Sequence, residues 1–346
     1  MKTRSYIALL GIIAVLLAIS SVVYYNTKED KKRSYENTGA RIFTYTITPV
    51  YELPLDLPIT DFIIKEDYFY LKDAANQQII QIDKSGNIIQ KWGGIGDGPK
   101  ENLRIMSFDV DQQGYLTVDQ EKNTVSKVSF EGDLLFYYKP DVVIEKGVFT
   151  PDAQKVITKG SKGEFGSSRL AFYAISPTEK QVVELNTLAA AFPDANISDW
   201  LYDGLITRGE DGFLYYFCYY ANMFVKFDAS GKVIYTGNVI YNVPPILFQQ
   251  MGDAIFPVEN EVESLTDVMV TQNYIYILSN VMNTQTGNAR IVDVYDVKDG
   301  GYVNSFAVPF DKSTGNPPSE MFVDNDHTIY FLLDKSIIGY KITNNK

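Results

Sequence analysis

Cysteine and histidine are almost missing from this chain: Cys218 and His327 are single occurrences in 346 residues. One cysteine excludes an internal disulfide and any cysteine-rich metal site. One histidine argues against histidine-based zinc sites and against Ser-His or Cys-His catalysis. Basic residues are outnumbered, with 31 Lys and Arg against 43 Asp and Glu, and the resulting charge of −12 would repel nucleic-acid phosphates. A phosphate loop is also missing. The glycine-rich run Gly93–Gly98 has neither the Lys-Ser/Thr ending nor the G-x-G-x-x-G spacing, and reads as a tight turn in which glycine supplies positive φ. Methionine is scarce at 7, whereas 25 Tyr and 20 Phe favour strands, since aromatic side chains pack well on a pleated surface.

What is present is a repeat. Asp73 falls on Asp119, Ile79 on Val125, Ile82 on Val128 and Gly86 on Gly132, a constant offset of 46 residues. That period belongs to propeller blades. Each copy has a short apolar strand, a second strand ending in Asp, a third with alternating apolar residues, and a Gly turn. The first blade covers 59–92 and the second 105–138. The third covers 142–185, with its last turn at Pro177-Thr178-Glu179 where the same offset places it. The fourth starts near Tyr202 and includes the apolar stretch Phe213–Tyr220, read as a strand buried on both faces. An insertion from Tyr241 to Glu263 carries Ile246–Met251 after two prolines, the pattern of a short helix with proline near its first turn. The fifth blade covers 264–307. The last unit, Glu320 to Ile342, has three strands, and the alternating stretch at 42–53 supplies the fourth. The expected fold is therefore all-β, a six-bladed propeller of four-stranded antiparallel blades over 42–346, its ring closed by an N-terminal strand, which leaves no exposed sheet edge.

Ahead of it, Lys2 and Arg4 precede an uncharged run from Tyr6 to Tyr25, about the length of a membrane-crossing helix. Residues 1–25 read as a signal-anchor helix, or as a signal peptide cut near Ala18-Ile19-Ser20. Lys28, Lys31, Lys32 and Arg33 compete with Lys2 and Arg4 under the positive-inside rule. The short tail before a long domain favours export, so the expected location is the periplasm or cell envelope, anchored in the inner membrane or secreted if cleaved. Residues 26–41 read as a polar tether.

The blade pattern Val118-Asp119, Val125, Val128 and Gly132 resembles NHL-type repeats, and the connector Trp92–Asn102 resembles the Gly-Pro connector of that superfamily. The chain looks most like bacterial exported six-bladed propellers of TolB-like and NHL-like type. The resemblance implies the fold and selects no activity, because such proteins include binding modules, scaffolds and enzymes.

Loop lengths suggest where function lies. Connectors between blades and loops joining second to third strands share one face, and on it fall the long stretches 93–104, 160–168, 186–202, 240–263, 280–289 and 308–318. Long loops on a rigid scaffold are where binding resides. Asp97, Lys100, Glu101, Arg104, Lys162, Glu164, Arg169, Trp200, Tyr202 and Arg208 are its candidate ligand-binding residues, the partner being a protein, peptide or glycan, with no cofactor. The alternative is a lactonase-like hydrolase or a lyase using Asp61, Glu101, Asp203 and Glu320 at the channel mouth, aided by a divalent cation such as Ca²⁺ or Mg²⁺. Asp109 and Asp111 read as hairpin-turn residues, having no Glu where a calcium loop needs one. Asp73 and Asp119 should tie strand ends to neighbouring loops. Cys218 reads as a buried small hydrophobe and His327 as an exposed turn residue.

Overall fold

The computed structural model describes residues 41–162, 169–192, 200–240, 248–251, 254–257, 263–280, 289–310, 316–324 and 326–344. The hydrophobic segment 1–25, the tether up to residue 40, and Glu164 lie outside these. Among the described residues no helix is long and apolar enough to cross a membrane.

Six four-stranded antiparallel sheets make up the architecture. The first contains β2 (Ile59–Lys65), β3 (Tyr68–Asp73), β4 (Gln78–Asp83) and β5 (Ile88–Gly93). The second has β6 (Ile105–Val110), β7 (Gly114–Asp119), β8 (Thr124–Ser129) and β9 (Leu134–Tyr138). The third has β10 (Lys146–Phe149), β11 (Val156–Lys162), β12 (Arg169–Ser176) and β13 (Gln181–Glu184). The fourth has β14 (Gly204–Arg208), β15 (Leu214–Cys218), β16 (Met223–Phe227) and β17 (Val233–Asn238). The fifth has β20 (Leu265–Val270), β21 (Tyr274–Ser279), β22 (Ala289–Asp296) and β23 (Tyr302–Pro309), after a hairpin of β18 (Phe248–Met251) and β19 (Ala254–Pro257). The sixth has β24 (Glu320–Val323), β25 (Thr328–Leu333) and β26 (Ser336–Asn344), and β1 (Tyr45–Pro54) pairs antiparallel with β26.

Burial follows each strand's place in its blade. Middle strands lie between neighbouring blades, and β7, β8 and β15 are buried at every position. Outer strands face solvent on one side, so β9 and β17 alternate. Apolar clusters fill the junctions between successive sheets. Trp92 stacks on Tyr70 between the first and second, Phe172 meets Tyr216 edge-on between the third and fourth, and Phe62, Leu53 and Tyr330 join the sixth to the first. Each such fully buried aromatic contributes about 1.5–3 kcal/mol. Ahead of β1, the Arg41 guanidinium grips Asp293 through two bonds of 2.9 and 2.8 Å, pinning the entering chain to the fifth blade.

Three local expectations are corrected. Phe248–Met251 is a strand paired with Ala254–Pro257, not part of a helix. The sequence between them, Gly252-Asp253, suits a two-residue hairpin, and that nearby partner strand outweighs the prolines. Asp109 is buried on an inner strand and accepts from the Phe149 amide, whereas Asp111 does cap its turn through Gln113 and Gly114. Asp119 ties its strand to the connector through the Leu103 amide at 2.6 Å, but Asp73 caps its own loop through Ala75 and Asn76. Gly93 sits at φ 83°, where any other side chain would be strained, and a Cβ would also crowd the Asn102 amide at 2.9 Å. Cys218 is buried, and His327 is exposed at a turn with φ 58°.

Candidate functional site

The first strands of the six blades, β2, β6, β10, β14, β20 and β24, wall a central channel enclosing about 500 Å³. Their N-terminal ends meet the long-loop face, because each is entered from an inter-blade connector. Strand alternation aims some side chains here: in β24, Met321 and Val323 enter the core while Glu320 enters the channel. Elsewhere alternation is broken. β2, β6 and β20 each carry a register irregularity after their first residue, at Ile59/Asp61, Ile105/Ser107 and Leu265/Asp267. A bulge re-aims the next side chain and recurs beside functional sites. The result brings Asp61, Asp267 and Glu320 into the channel from the first, fifth and sixth blades.

These three carboxyls are screened from bulk water by the channel walls, although each residue shows some surface to the lumen. Asp267 and Glu320 lie close enough to act on each other's charge, and Asp267 accepts from the Met321 amide at 2.7 Å. Burial, with Asp61 nearby, pushes Asp267 up to about 7. Burial and then the Asp267 charge push Glu320 well above the usual carboxylate range. Two such groups in one low-dielectric site cannot both ionise cheaply, so the pair holds a proton at neutral pH. Asp61 is raised by burial too, against the opposing pull of Lys72, whose ammonium lies 3.5 Å away.

Positive charge lies across the mouth. Lys146 donates to the Gly204 carbonyl at 3.0 Å and to the Tyr219 hydroxyl at 3.1 Å, and stands over the Tyr219 ring. Gly204 lets β14 approach β15 closely here, because a Cβ would fall 1.9 Å from the Phe217 carbonyl oxygen of the paired strand. Among the described residues no carboxylate lies within ion-pair distance of Lys146, and burial lowers its pKa, with Asp203 partly opposing. Its neighbour Lys159 is instead held between Glu145 and Asp203. Burial would raise Asp203, but Lys159 and Lys146 outweigh it and hold the carboxyl below its ordinary value.

The candidate residues scatter over the molecule. Asp97 and Glu101 are exposed on the first connector, where Glu101 accepts from the Gly98 amide. Lys100 donates to the Gly132 carbonyl, away from the channel, and Arg104 is exposed. Lys162 ends β11 opposite exposed Arg169. Trp200 begins a short 3₁₀ turn whose Tyr202 is buried against Phe192. Arg208 ends β14 and pairs with Asp109 at the opposite mouth. Of the four carboxylates named for the enzyme alternative, Asp61 and Glu320 line the channel. Asp203 sits beside it on Lys159, and Glu101 is remote. Among the described residues no three His, Cys, Asp or Glu are grouped to hold a metal ion. Asp267, Lys72, Lys146 and Tyr219 were not singled out. One signal could have found Asp267: Leu265-Thr266-Asp267-Val268 repeats Ile59-Thr60-Asp61-Phe62 at the same place in its blade.

No family model matches the sequence, and no curated protein matches it. Solved structures share the fold. A DUF4221 family member from Bacteroides vulgatus superposes with a TM-score of 0.57 at 11% identity, over 87% of this chain and 99% of that one. A Bacteroides fragilis protein named as exported gives 0.53 at 11% identity, over 88% and 96%. Virginiamycin B lyase from Staphylococcus aureus gives 0.50 at 13% identity, over 86% and 99%. A form of that lyase with one histidine changed to alanine is described as catalytically inactive.

Proposed function

We propose that this chain is an extracytoplasmic, non-catalytic binding propeller that takes a small polar ligand or the end of a peptide or glycan at the long-loop mouth of its channel. The observation that carries this is the convergence of Asp61, Asp267 and Glu320 from three blades into one cavity, facing Lys146. Opposed charges kept partly out of water cost free energy unless a ligand satisfies them. The named export of a similar fold and the hydrophobic segment at 1–25 support a place outside the cytoplasm, with 26–41 as tether and β1 as the strand that closes the ring. The NHL-like and TolB-like kinship belongs to the same proposal.

A thermal-shift panel of amino acids, short peptides and sugars on the full chain tests it. A ligand at about 100 times its Kd adds about 2.7 kcal/mol, several degrees for a chain of this size. The shift should vanish in Asp267→Asn and persist in Glu131→Gln, a change on an exposed turn. A shift that survives Asp267→Asn would move the site elsewhere.

One observation favours a second, catalytic reading: Asp267 and Glu320 line one cavity, with burial raising both, which suits general acid–base work in a lyase or hydrolase. It could not copy a histidine-dependent lyase, since His327 is the chain's one histidine and lies on an exposed turn outside the channel lining. Turnover of any substrate, lost in both Asp267→Asn and Glu320→Gln, would establish it. Binding without turnover would leave the non-catalytic reading standing.

A further inference from the structure

We propose that the channel mouth recognises an α-ammonium group beside a carbonyl or carboxylate oxygen, the chemistry of a free amino acid or of a peptide N-terminus. This rests on the channel-mouth reading above and names its ligand class. Two opposite charges are presented to one cavity from different blades. On one wall Asp61, Asp267 and Glu320 exceed what Lys72 alone neutralises. On the other, Lys146 is anchored only by the neutral Gly204 carbonyl and Tyr219 hydroxyl, among the described residues.

Tyr219 links the two walls. Its hydroxyl bonds the Lys146 ammonium, and its own ionisation is held back by burial and then, in falling order, by Asp203, Glu263, Glu320 and Asp267. The two charge sets are thus close enough to act on one residue. An ammonium group carries three donors, which matches three carboxyls arriving from separate blades. A ligand with only negative charge would meet those carboxyls. One with only positive charge would leave Lys146, which makes no direct ion pair among the described residues and has Asp203 only at longer range, without an ion partner. A ligand carrying both satisfies both walls. The cavity of about 500 Å³ is in the range of small-molecule sites, with room for one residue.

Calorimetric titration of the full chain tests this with three probe sets: the proteinogenic L-amino acids, their dipeptides with a C-terminal alanine, and the N-acetylated form of each binder. The expected result is binding tighter than about 1 mM by at least one free-amine compound, weakened at least about tenfold by N-acetylation. Both Glu320→Gln and Lys146→Met should weaken it by a similar factor. Stronger binding of the free amino acid assigns that source, and stronger binding of the dipeptide assigns a peptide N-terminus. The acetylation arm uses the unaltered chain and stays decisive should either variant fail to fold. Silence from both unblocked sets, or equal binding of the acetylated compound, overturns the inference. An N-acetylated compound that binds as well as its free amine and is lost in Glu320→Gln overturns this ligand class while leaving the channel-mouth site intact. A ligand indifferent to both variants overturns both.

Discussion

Asp267 and Glu320 hold one proton between them because each stands where the other's charge, and the lack of bulk water, make double ionisation costly. That arrangement has a consequence for stability. Asp267 titrates near 7 in the folded chain and near about 3.9 when unfolded. Between those values the folded chain binds a proton that the unfolded chain does not. The stability from this proton is complete below about pH 4 and is lost as pH rises through about 7. The groups facing it are Glu320, Asp61 and Lys72, with Tyr219 and Lys146 across the channel. Asp267→Asn removes the titration, so the melting temperature of the variant should gain on the unaltered chain between about pH 4.5 and 8. A constant difference across that range would contradict the shared proton. At this scale the sequence shows residue types and not their company. Asp61 and Glu320 could be named as inner-strand carboxylates, but nothing along the chain says that Asp109 is paired with Arg208, 99 residues away.

Among elements, strands were legible where period-2 alternation and turn residues agree. The four strands of the first blade span 59–93, within a residue of the expected 59–92. The bulges in β2, β6 and β20 were not legible, because alternation assumes an unbroken register and an extra residue in one strand leaves no mark in composition. Yet those bulges help place the carboxyls. The hairpin of β18 and β19 was missed for a related reason: its partner strand, not its own pattern, decides it. β1 is an element with a large mechanical share. It covers the edge of β26, brings Leu53 into the junction with the first blade, and follows the buried Arg41–Asp293 pair. A chain starting at residue 56 would expose the β26 edge, a template for pairing with other chains. It should aggregate in light scattering where a chain starting at residue 41 stays monodisperse. Equal behaviour of the two would show that β1 is dispensable.

For the whole molecule, six four-stranded sheets pack through apolar junctions, and such a scaffold carries function in its channel and loops, not in its repeat. The repeat was legible because packing imposes it on every blade. The site was only half legible: Asp61 and Asp267 recur at one place in their blades, but Glu320 and Lys146 come from what differs between blades. A fold shared at 11–13% identity with a DUF4221 family member, a protein named as exported and a lyase agrees with one scaffold serving several chemistries. The most direct measurement is hydrogen–deuterium exchange on the full chain, with and without the ligand that emerges from the panel. Protection is expected where the inner strands enter the channel, around residues 59–62, 105–107, 265–268 and 319–321, with no change at the turns of the opposite face, 66–67, 111–113, 271–273 and 326–327. Protection confined to those turns, or to the blade perimeter, would contradict the assignment of the site to the long-loop mouth.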